Sequence, residues 1–221
     1  MRISYSHKFI FIHVYKVAGT SISVALQPYC YEPDRIRANR LLKRLGVTPP
    51  VSHPEFHALD GHAGAAEVRE ALPPVVFNNF FKFAFVRNPW DWQVSLYEFA
   101  LNRPGHDQHS LFKSFGNFER YLEWRVKEDR HLQKDFLVDE SGELLVDFVG
   151  RFERIEQDFE TVCQRIGVRC RLPYLNHTPH RHYSAYYTPR AHALVADAFR
   201  EDIEMFGYQS ELEEVYQAAA L

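Results

Sequence analysis

Apolar residues in this chain come in short solid blocks, and each block runs into a stretch of helical periodicity. Phe9-Ile10-Phe11-Ile12-His13-Val14 is the first block and Lys82-Phe83-Ala84-Phe85-Val86 the second, and residues 147–152 form a third strand-type stretch. Short apolar runs without alternation read as strands buried on both faces. After the first, the chain reads as helix up to Pro28. After the second, Asn88-Pro89 is an N-cap followed by a residue suited to the first helical position, with Asp91 where negative charge complements the dipole. After the third, Ile155, Phe159, Val162, Cys163 and Ile166 share one helical face and stop at Gly167. Ala65–Leu72, Asn117–Lys134 and the run 189–206, opened by Thr188-Pro189, are further helical patterns. Val47–His57, with three prolines, reads as a loop. Recurring strand-then-helix order predicts an α/β fold, a P-loop-like parallel sheet flanked by helices on both faces, with ligands at the carboxyl ends of the strands. No repeat or linker interrupts the 221 residues, so a single domain spanning 1–221 is expected.

Two of the strand-to-helix corners carry anion-binding chemistry. Following the first strand, Tyr15-Lys16-Val17-Ala18-Gly19-Thr20-Ser21 offers a cation, backbone N–H groups and a helix dipole to one anion. It differs from the nucleotide triphosphatase loop, which needs a glycine where Val14 stands and a lysine directly after Gly19; here the cation comes three residues earlier. Arg87 leaves the second strand, and Ser95 lies about two turns into the helix that follows, so a guanidinium and a hydroxyl can meet one phosphate. Asp91 is the carboxylate with which Arg87 would otherwise pair.

Lys16-x-x-Gly19-Thr20-Ser21 and Arg87 with Ser95 eight residues on resemble the 5′-phosphosulfate loop and the 3′-phosphate motif of sulfotransferases that use 3′-phosphoadenosine 5′-phosphosulfate (PAPS). The resemblance is closest to the carbohydrate branch that includes the heparan sulfate 2-O- and chondroitin 4-O-enzymes. It continues through Val149-Gly150-Arg151-Phe152-Glu153, Gln157-Asp158-Phe159, Leu172-Pro173-Tyr174-Leu175-Asn176 and Asp202-Ile203-Glu204-Met205-Phe206-Gly207-Tyr208. It implies that Lys16, Gly19, Thr20 and Ser21 hold the 5′ end of the nucleotide, with Lys16 also neutralising the leaving group. Arg87 and Ser95 would bind the 3′-phosphate, and the acceptor would be a hydroxyl of a glycan or glycoconjugate.

For the base, the heparan sulfate 2-O-branch has a His-x-His after its first helices. The corresponding segment here is Asp60-Gly61-His62, with Asp60 in place of the first histidine. Either His62 is the base and Asp60 orients it, or Asp60 takes over the work, with His57 behind both. Arg181, in a loop that the resemblance sets near the nucleotide, either adds to the 3′-phosphate charge or belongs to a solvated basic loop. Arg35, Arg37, Arg40, Lys43 and Arg44 either greet an anionic acceptor or form a solvated helix face. Trp90 and Trp92 read as packing residues.

A net charge of −3 argues against a general nucleic-acid binder, which needs a basic field over one face. Cys30, Cys163 and Cys170 show neither a disulfide framework nor zinc spacing. His177, His180 and His182 lack a cysteine or carboxylate nearby to complete a metal site, and none is expected. No apolar run approaches the roughly 20 residues of a bilayer span. Animal Golgi relatives carry an anchor, so its absence here leads us to expect a cytoplasmic, bacterial enzyme. Two rivals remain: a P-loop kinase, disfavoured by the position of Lys16, and a non-catalytic nucleotide-binding relic, favoured only by Asp60.

Overall fold

A computed structural model describes residues 1–30, 61–175 and 181–212. Among the described residues one sheet runs in the order β1 (Arg2–Ser4), β2 (Phe9–Ile12), β3 (Phe81–Val86), β4 (Phe148–Arg151). The helices among the described residues are α1 (Gly19–Cys30), α2 (Ala65–Ala71), α3 (Pro74–Asn79), α4 (Pro89–Leu101), α5 (His109–Phe115), α6 (Phe118–Glu128), α7 (Ile155–Arg165), α8 (Pro189–Ala198) and α9 (Arg200–Phe206). The expected α/β class holds. The chain divides into two compact units, the first made of Met1–Phe85, Phe136–Gly150 and Arg154–Leu175, the second of Val86–Asp135, Arg151–Glu153 and Asn176–Leu221.

In the first unit, all four residues of β2 are buried, as are the last five of β3. That is why both read as solid apolar blocks in the sequence. The two strands run parallel, Phe9 opposite Phe81 and Ile12 opposite Ala84, and the rings of Phe11 and Phe83 stack at 5.3 Å. β1 departs from the all-parallel expectation, because it pairs antiparallel with β2. Only Tyr5–Lys8 join them, a connection that can turn the chain back but cannot make the crossover that parallel pairing needs. Gly150 in β4 is dictated by close approach, since a Cβ there would come within 2.4 Å of the Phe85 ring. Lys82 is the polar interruption of β3. Its buried ammonium donates to the carbonyls of Phe77 and Phe80 at 3.2 and 3.0 Å and pairs with Asp147 at 2.9 Å.

In the second unit, two of the expected caps are present. Asn88 Oδ1 accepts from Trp90 N–H at 3.0 Å, and Thr188 Oγ1 from Ala191 N–H at 3.1 Å. Two helices end earlier than their periodicity suggests. The 189–206 pattern is broken at Phe199, which is fully buried and edges onto Trp92, while Arg130 donates to the carbonyl of Ala198 at 3.1 Å. The 117–134 pattern stops at Glu128, because the backbone and side chain of Gln133 are engaged elsewhere.

Candidate active site

In the first unit, β2 ends at Ile12 and α1 begins at Gly19. Lys16 (φ 63°) and Ala18 (φ 61°) adopt the left-handed conformation, which side chains other than glycine occupy at a cost of about 1–2 kcal/mol each. Val17 between them has the ordinary negative φ, and alternation of backbone sign is the pattern from which anion-binding nests are built. The first helical bond of α1 runs from Ile22 N–H to Ala18 O at 3.1 Å, so the N–H groups of Gly19, Thr20 and Ser21 precede the intrahelical ladder. Thr20 is exposed and Ser21 buried, with its Oγ accepting from Leu175 N–H at 3.4 Å. Ser21 is thus tied to the far segment 171–175 by its side chain, leaving its N–H as its contribution at the loop.

Two residues before Gly64, the N-cap of α2, stands the exposed His62. Its Nδ1 lies 3.1 Å from the carbonyl oxygen of His13, and the two imidazoles are 4.4 Å apart. Since a carbonyl only accepts, Nδ1 carries the hydrogen in the neutral ring, and Nε2 the basic lone pair. Tyr15 presents an edge-on ring to His62 at 6.1 Å and another to Phe136 at 5.5 Å. His13 itself is held neutral. Burial, with the positive charges of the amino terminus, His62 and Arg2, pushes its pKa down to about 3. Asp60 and His57 lie outside the described residues, as do the basic stretch 35–44 and His177 and His180.

In the second unit, Arg87 is nearly closed off from solvent. Its N–H donates to Gln133 Oε1 and its carbonyl accepts from Gln133 Nε2, both at 2.8 Å, so one side-chain amide clamps both sides of the peptide. The guanidinium donates through Nε to Asp91 at 2.7 Å and lies 4.0 Å over the Phe152 ring. The Asp91 pair weighed from the sequence does form. Ser95 is buried one turn beyond Asp91 along α4. The next residue, Asn88, donates its N–H to Glu153 at 2.6 Å, and Glu153 also accepts from the Tyr208 hydroxyl at 3.1 Å.

Behind Gln133 is Asp202, fully buried, accepting from the N–H groups of Gln133 and Lys134 at 2.8 Å each. Burial raises its carboxyl to about 6 against the opposing pull of those two N–H groups. Sequence reasoning missed Gln133, for which no local signal exists. Asp202 was visible only as part of the Asp202–Tyr208 run. Arg181 is exposed, with its guanidinium 5.5 Å from the Tyr186 ring. His182 is engaged by Ser184 at 2.8 Å.

No curated protein matches the chain. A family model described as the sulfotransferase family matches residues 1–209, nearly the whole length, and takes in both phosphate-type corners as well as the Asp202–Tyr208 run. The chain therefore belongs to the sulfotransferase family.

Proposed function

We propose that this sulfotransferase takes the sulfuryl group from PAPS and transfers it to a carbohydrate hydroxyl. The observation that carries the reading is the loop from His13 to Ser21, with its alternating backbone signs, its lysine and its helix start, in a chain that matches the family almost throughout. N–H groups and an ammonium are the donors that a 5′-phosphosulfate calls for, and a guanidinium is the donor that a 3′-phosphate calls for. When bound, that nucleotide supplies an activated sulfuryl group, transferred in line through a loose transition state.

The assignments follow from charge and proton needs. Gly19, Thr20 and Ser21 hold 5′ oxygens with their N–H groups. Lys16 answers the negative charge that builds as the bond to the nucleotide weakens, a contact that strengthens only in the transition state. Arg87, aimed by Asp91 and steadied on Phe152, binds the 3′-phosphate with Ser95, and Arg181 adds charge there. His62 takes the hydroxyl proton at Nε2, with Asp60 as its orienting partner or its replacement. The carbohydrate acceptor rests on the resemblance to the carbohydrate branch.

Isothermal titration with adenosine 3′,5′-bisphosphate, and separately with ATP and magnesium, tests the cofactor. The bisphosphate is expected to bind roughly 30-fold tighter or better, the factor for one charge-assisted contact of about 2 kcal/mol. Equal or tighter binding of ATP with magnesium would point to a phosphotransferase instead.

A further inference from the structure

His13 lies in the first strand block, where nothing in the local pattern marks a function. Three observations single it out. Its carbonyl oxygen is 3.1 Å from His62 Nδ1. Its ring is 4.4 Å from the His62 ring and stacks on Phe11 at 5.7 Å. The same ring occupies the space over Gly19, where a Cβ would come within 1.7 Å of Nε2 and 1.9 Å of Cδ2. The imidazole is thus wedged between the first residue of α1 and the proposed base, with Phe11 behind it.

We propose that His13 is a positioning residue: its carbonyl fixes His62 as the Nδ1–H tautomer with Nε2 as proton acceptor, and its ring sets the spacing of that base from the Gly19 loop. This rests on the reading of His62 as the base. The wedge also accounts for glycine at position 19, since any side chain there would displace the ring. A neutral ring suits the task. A second imidazolium beside His62 would oppose protonation of His62, the event general-base catalysis requires, and burial together with the nearby cations keeps His13 unprotonated near neutrality.

The first test needs no substitution. Long-range nitrogen–proton NMR of the imidazoles of the intact protein above pH 7 should report the Nδ1–H form for His62; the Nε2–H form would overturn the proposal. Kinetics supply the second test. His13→Gln and His13→Ala should lower kcat by roughly 10–100-fold, the scale of misaligned proton transfer, with the KM for PAPS changed by less than about threefold. The backbone carbonyl survives both substitutions, so His62 should keep the Nδ1–H form in each while kcat falls, and loss of that form in both would contradict the carbonyl as its partner. Parental kcat in both variants, alongside a His62→Ala enzyme that is inactive, would overturn the positioning role while leaving the base in place. A His62→Ala enzyme with parental turnover would instead remove the base reading on which the proposal stands. The wedge is read separately by thermal unfolding. Gly19→Ala should lower Tm, and adding His13→Ala should recover part of that loss; additive losses would contradict the contact.

Discussion

Arg87 is held at both its peptide and its guanidinium, as the proposed 3′-phosphate contact would require. Clamped at its peptide by Gln133 and at Nε by Asp91, its guanidinium has lost most of its freedom before any ligand arrives, so binding forfeits little side-chain entropy. Arg87→Ala should therefore weaken adenosine 3′,5′-bisphosphate by about 2–4 kcal/mol while barely altering 5′-AMP, which lacks the 3′-phosphate. Calorimetric titration of both ligands into the same variant decides this independently of any general loosening. Equal losses for the two would move Arg87 away from the 3′ end. The residue types at both corners were legible in the sequence because a strand end, a cap and a spacing of eight residues are local patterns. Gln133 was not, because the amide that clamps Arg87 comes from 46 residues away, and nothing in its own neighbourhood marks it.

The same reach limits what is legible at the scale of elements. β2 and β3 announced themselves as unbroken apolar blocks, and the starts of α4 and α8 as cap-and-proline pairs. β1 is three residues long and carries too little pattern to register. The helix expected over 189–206 divides at Phe199 because Trp92 and Arg130, distant in sequence, claim its ring and the preceding carbonyl. Just past that break, Asp202 ties α9 to the segment that clamps Arg87. Burial raises its pKa in the folded state to about 6, above the ordinary aspartate range, so the folded state holds this proton more tightly than the unfolded chain. Its contribution is fully present below the unfolded value and is lost as pH rises through about 6, a change of at most about 3 kcal/mol. Urea unfolding of the parent and Asp202→Asn at several values between pH 4 and pH 7 should show the parent losing ground to the variant across that interval. A constant difference between the two would contradict it.

At the scale of the whole molecule, the α/β class and the sulfotransferase family follow from elements that recur along the chain and from a match over residues 1–209. The antiparallel β1 makes the sheet mixed, and a four-residue connection explains it. What stays beyond the sequence is the arrangement around His62, because its tautomer depends on a carbonyl 49 residues away and its spacing on a ring packed against Gly19. Sulfuryl transfer from PAPS to a carbohydrate hydroxyl is tested most directly by turnover with sulfur-35-labelled donor over a panel of glycan acceptors. The parent is predicted to move the label to an acceptor hydroxyl. Lys16→Ala and His62→Ala should each lower kcat by about 10²–10⁴-fold while leaving bisphosphate affinity nearly intact. A parent that binds the bisphosphate yet transfers no label to any acceptor, or variants that transfer it at the parental rate, would contradict the account.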